Sequence, residues 1–137
     1  MKEMVYTDHP ERIVLDSGTK DGYDWVILSL GFHPCAYVKI PKGYPRYKFR
    51  CDDFARFSDI VCHGGITYVY HSLAIGDGET NHGHWIGWDY QHARDFSGRK
   101  DYDELNKLSN AKKWTTSEIR REVFNVIKQL RKMEALS

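Results

Sequence analysis

Between residues 82 and 95 the chain reads HGHWIGWDYQHARD, with three histidines, two tryptophans and two aspartates in one short segment. Asp89, His92 and Asp95 are three apart, so one helical turn would gather them on one side. A carboxylate, an imidazole and a second carboxylate so placed can hold a hard or borderline divalent cation. They can also work without metal: Asp89 or Asp95 orients His92, which serves as general base near neutral pH. His63 joins from a neighbouring strand. Gly64 and Gly65 after it lack side chains and leave backbone N–H groups approachable by a ligand anion. The candidate catalytic residues are therefore His63, Asp89, His92 and Asp95, and no metal ligands are assigned. The same residue types also cap backbone groups in turns, with Asp95 hydrogen-bonding His92 to hold a loop. Both roles stand open on the sequence.

Other constellations carry less. His82 and His84 form an H-x-H pair that would face one way on a strand, but a pair supplies only part of a zinc shell. In this glycine-rich stretch they read as exposed loop histidines. Cys62 and His63 are adjacent, so on a strand they point to opposite faces and do not act as nucleophile and base. His9, His33 and His71 read as structural or solvent-exposed. The loop KGYPRYKFR interleaves Lys42, Arg46, Lys48 and Arg50 with Tyr44, Tyr47 and Phe49. Rings stack on bases and cations pair with phosphates, which suits a nucleotide or a single strand. A surface loop balanced by Asp52 and Asp53 explains the same residues. Candidate ligand contacts are Gly64, Gly65, Trp85, Trp88 and Arg46. No Walker loop, GxGxxG or HExxH motif is present.

These groups need elements to position them. RIVL (12–15) is a short strand and DSGTKDG a turn cluster. Strands follow at about Trp25–Leu30 and Ala36–Ile40, bent by Gly-Phe-His-Pro between them. IVCHGGITYVYHSL is β-rich, and Gly64-Gly65 interrupts it as a bulge or close approach. IGDGETNHG reads as a turn and HWIGWDY as a further strand. If residues 84–88 are extended, His84, Ile86 and Trp88 share one face and Trp85, Gly87 and Asp89 the other. A short helix is expected around Tyr102–Leu108. Ile119, Val123, Val126, Ile127, Leu130 and Met133 form one stripe of a C-terminal amphipathic helix. Thr115 and Glu118 make its capping box. Arg120, Arg121, Lys128, Arg131 and Lys132 lie opposite, as a solvated face. Strands first and one long helix last imply an α+β fold, an antiparallel sheet packed against the long C-terminal helix, in a single domain over residues 1–137.

The 137 residues suffice for one core, and the composition (41% hydrophobic, 28% charged, 14% aromatic) is that of an ordinary globular domain. A net charge of +1 gives no global field toward nucleic acid or membrane. No apolar run has membrane-spanning length, and the polar start MKEMVYTDHPER is unlike a signal peptide. Cys35, Cys51 and Cys62 are odd in number and form no CxxC pair, against a disulfide framework or a zinc knuckle. Together these lead to the expectation of a cytoplasmic protein.

The run CHGGITY (62–68), then WIGWD (85–89), then HARD (92–95) resembles a group of small phage and prophage proteins of uncharacterised function. These carry HGG-[IL]-T-[YF] followed by W-x-G-[FW]-D-x-x-H-A-x-D. GFHPCAYVKIPKGYP (31–45) is similar to their strand and loop. The likeness spans about residues 22–95 and the terminal helix. It departs at Arg94, where those proteins often have glycine, and in VYHSLAIGDGETNHGH (69–84). It implies a phage-encoded accessory protein working in the host cytoplasm, a setting that suggests action against host defence. The leading expectation is a binding protein using a His/Asp/Trp pocket for a small anionic ligand such as a nucleotide, or for a host protein. The alternative is a metal-dependent hydrolase acting on a phosphodiester. The sequence signals no membrane partner, names no cofactor, and leaves nucleic-acid binding and homo-oligomer formation open.

Overall fold

A computed structural model describes residues 1–45, 51–76 and 78–136. Five strands run in chain order: β1 Ile13–Lys20, β2 Tyr23–Ser29, β3 Pro34–Ile40, β4 Tyr68–Ile75 and β5 Glu79–Asp89. They form one antiparallel sheet in the order β1-β2-β3-β5-β4. A short helix α1 (Asp103–Leu108) and a long helix α2 (Thr116–Ala135) follow. The fold is α+β, as the sequence implies.

The sheet is covered on both faces, which explains the almost unbroken apolar runs of β2 and β3. On one face Trp25, Ile27, Val38, Ile86 and Trp88 meet Ile119, Val123, Val126, Ile127 and Leu130 of α2. Those five helix residues are fully buried, so the apolar stripe is the packing face. Thr115 and Glu118 close the predicted capping box. On the other face Val26, Leu28, Tyr37, Leu73 and Trp85 form a second cluster. The sheet curls around it, bringing its two edge strands together. Arg12 Nη1 donates to Ala74 O at 2.8 Å, and Val14 approaches Gly76. Bulges between Val14 and Asp16 in β1 and between Tyr70 and Ser72 in β4 supply local bending.

Two expected turns contract to their tips. Ser17, Gly18 and Thr19 belong to β1, paired with Val26, Trp25 and Asp24. Only Asp21-Gly22 turns, with φ of 53° and 87°, the left-handed pair a two-residue hairpin demands. β5 likewise starts at Glu79, so His82 and His84 lie on a strand rather than in a loop. Tyr44, expected in the exposed basic loop, is buried and donates from its hydroxyl to Leu130 O. Arg46, Tyr47, Lys48, Phe49 and Arg50 lie outside the described residues. Among the described residues, no helix is long and apolar enough to cross a membrane.

Candidate acid–base site

The end of β5 and the turn leading into the edge strand β4 meet beside α2. β5 finishes at Asp89, and a turn carries the chain through His92 to Asp95. Just before β4, a turn over Cys62–Gly65 is closed by Gly65 N donating to Cys62 O at 3.0 Å. The residues 92–96 are clipped to the strand-like stretch at 112: Lys112 N donates to Arg94 O at 2.8 Å and Phe96 N to Lys112 O at 2.9 Å. The four candidate side chains converge here.

Their pairing differs from the expected one. Asp95 orients His63, not His92: His63 Nε2 lies 2.6 Å from Asp95 Oδ2. The same oxygen accepts from His92 N at 2.9 Å, and Asp95 Oδ1 accepts from Trp114 Nε1 at 2.8 Å. The Asp95 side chain is only 3% exposed. A buried carboxylate is tolerated when its oxygens are hydrogen-bonded, and these are. His92 Nε2 instead stands 3.2 Å from Asp89 Oδ1, close enough for a charge pair but without an aligned hydrogen bond. Asp89 is also tied down structurally, accepting from Gln91 N and Thr67 Oγ1.

A carboxylate only accepts, so a neutral His63 donates to Asp95 from Nε2 and carries its lone pair on Nδ1. No described residue hydrogen-bonds Nδ1, and 23% of the His63 side chain is exposed. The ring is fixed on several sides. It stacks on Tyr90 at 4.8 Å and 6°, and it lies 4.9 Å from Trp114 and 5.6 Å edge-on from His92. Below it, Trp88 Nε1 donates to Tyr90 Oη at 3.0 Å. Tyr90 Oη donates to Glu122 Oε1 at 2.5 Å, and that oxygen also accepts from His63 N at 3.2 Å. Burial, then the bond to Glu122, pushes the Tyr90 hydroxyl far above its usual range, so it stays protonated as a donor.

The ligand contacts expected from the sequence take other roles. Gly64 is left-handed (φ 69°), and a Cβ built on it would fall 2.0 Å from His92 Nε2. Its bare face therefore receives the His92 ring rather than a ligand. Gly65 (φ 79°) has an open flank, but its N–H is spent on Cys62. Trp85 is 2% exposed in the cluster on the opposite sheet face. Trp88 is 1% exposed and sits under the site, bonded to Tyr90. Neither indole offers a surface to a ligand. Arg46 lies outside the described residues.

Trp114, Tyr90 and Glu122 complete the site and were not singled out in the sequence. Trp114 had a signal: the only tryptophan in the polar run 93–114. Glu122 had a weaker one, an acid following Arg120 and Arg121 on the helix. Lys112 Nζ stands 4.2 Å over the Trp114 ring and 2.7 Å from Glu118. Arg94 takes φ 72°, a conformation glycine adopts without strain.

Three clefts lie beside α1, along the N-terminal segment 3–8 where Trp114 forms part of the wall, and at the basic side of α2. None of these three is lined by His63, Asp89, His92 or Asp95. The two imidazoles are reached directly from the surface, at 23% and 34% side-chain exposure. Among the described residues, no three His, Cys, Asp or Glu side chains are arranged to surround a metal ion. Asp95, with both oxygens engaged, does not fit that task. No protein-family model, curated protein or solved structure matches the chain.

Proposed function

We propose that the chain is a phage-encoded accessory protein that binds a small anionic ligand bearing hydroxyl groups, of the nucleotide type, at the His63–His92 face. The observation that carries this is the short His63–Asp95 pair. Asp95 fixes the tautomer, so Nδ1 is held as an acceptor for a ligand hydroxyl. Trp114 offers a half-buried ring beside it, and Lys112 places positive charge over that ring. The phage origin is supported by the HGG…WxG…DxxHAxD pattern, and the left-handed backbone at Arg94 agrees with the glycine that pattern carries there. Isothermal titration against a nucleotide panel tests the reading, with His63→Gln as the matched variant. A ligand bound by the wild type and lost in His63→Gln supports it; absence of heat from every nucleotide removes it.

A second reading is metal-independent phosphodiester hydrolysis, favoured by one further observation. Two carboxylate-paired imidazoles stand with ring centroids 5.6 Å apart. One can take a proton from water while the other gives one to the leaving oxygen. Turnover of an activated phosphodiester in the presence of EDTA, with a bell-shaped pH profile, is the expected signature. Turnover that depends on an added divalent cation would overturn it.

A further inference from the structure

A second constellation lies away from this site, on the exposed edge strand β4. Cys51 Sγ and His71 Nδ1 are 2.9 Å apart, and both residues are exposed. The contact is made by design of the backbone on both sides. The β4–β5 register shifts between Tyr70 and Ser72, so His71 occupies a bulge, a device that re-aims a side chain. Asp52, next to the cysteine, is a non-glycine residue at φ 62°. Its N–H is fastened to Val69 O at 2.9 Å, which holds the segment against β4. The Tyr70 ring leans on His71 at 4.2 Å and limits its rotation.

The other two thiols are treated differently. Burial pushes Cys35 and Cys62 each up to about 12, which keeps them protonated and inert. Only Cys51 is both open to solvent and in contact with a base. The groups facing the pair are Tyr68, Tyr70 and His84. Burial, then the nearby His71, lowers the affinity of His84 for a proton.

We propose that Cys51 and His71 form a nucleophile–base pair, a modification site for small disulfides such as the oxidised form of a low-molecular-weight cellular thiol. The Cys51 proton passes to His71 Nδ1. The thiolate attacks one sulfur of the disulfide, forming an Sγ–S bond and breaking the S–S bond of the reagent. The departing thiolate takes the proton back from the imidazolium. The disulfide is the oxidant, and the products are a mixed disulfide at Cys51 and one free thiol.

The folded protein is treated with oxidised glutathione at pH 7 and pH 9, and each cysteine is followed by peptide mass mapping. His71 stands ready to take the proton as the sulfur attacks, so Cys51 should react several-fold faster in the wild type than in His71→Gln at pH 7, and the gap should narrow at pH 9, where hydroxide can take that proton instead. Cys51→Ser should remove that adduct, and Cys62 should react at least about tenfold more slowly than Cys51. Equal Cys51 rates in wild type and His71→Gln at both pH values would overturn the proposal. So would labelling of Cys62 as fast as Cys51. These readouts are independent of ligand binding at His63.

Discussion

Replacing each glycine of the Gly64-Gly65 turn by alanine separates backbone strain from packing. Both have left-handed φ, 69° and 79°, so a Cβ costs each about 1–2 kcal/mol. Loss of unfolded-state freedom returns roughly 0.4–1 kcal/mol of that. Gly65→Ala meets nothing within 4 Å, so its net loss should be about 1 kcal/mol. Gly64→Ala also puts its Cβ 2.0, 2.3 and 2.5 Å from three atoms of the His92 ring. That overlap cannot be absorbed in place. Either the turn shifts or the imidazole leaves Asp89, adding about 1–3 kcal/mol of overpacking. Gly64→Ala should therefore lose about 2–4 kcal/mol by urea denaturation. The His92 ring protons should move in its NMR spectrum and stay put in Gly65→Ala. If the two variants lose the same stability to within about 0.5 kcal/mol, with His92 unmoved in both, Gly64 is not the seat of the His92 ring.

Asp95→Asn should lose about 3 kcal/mol in denaturation, because one amide oxygen cannot serve Trp114 Nε1, His92 N and His63 Nε2 together. Its amide hydrogens would also invert the His63 tautomer, visible as a swap of imidazole nitrogen shifts, and any ligand bound through Nδ1 should be lost. Arg94→Gly should raise stability by about 0.5–1 kcal/mol, since Arg94 is exposed and left-handed at φ 72°; a lower melting temperature would contradict the backbone described. Burial holds the Cys35 thiol at about 12, above the roughly 8.5 of an unfolded thiol. The folded state thus prefers the neutral form, its contribution is complete below about pH 8.5, and it is lost as pH rises toward 12. Cys35→Ala should flatten the alkaline fall in stability by about 1.4 kcal/mol per pH unit between pH 9 and 11; an unchanged slope would refute the assignment.

The fold was legible where one physical pattern had one solution. The α2 stripe and its Thr115–Glu118 box named a helix with a buried face, and both are present. The apolar runs of β2 and β3 named strands, but not what would cover both faces. That depended on the sheet curling until Arg12 reached Ala74, a contact 62 residues long in sequence. Turn composition over-reached. Ser17, Thr19 and Asn81 favour turns locally, yet ladder pairing across the sheet outweighed that preference.

The site was legible in its membership and not in its pairing, for a geometric reason. Three-residue spacing does bring Asp89, His92 and Asp95 together, but through a turn in which Asp95 N donates to His92 O. A helix would have left the carboxylate of Asp95 beside the His92 ring. In the turn, that carboxylate folds back onto the His92 N–H, so the His92 ring points away, toward Gly64 and Asp89. The vacant acceptor then falls to His63, delivered from the other strand by a turn that only glycine at 64 allows. Gly64 therefore does its work inside the protein, making room for one imidazole so that the other can take the buried carboxylate, while Gly65 closes the turn through its N–H to Cys62 O. The edge of His63 left open by that exchange carries Nδ1, while Gly64 faces the His92 ring.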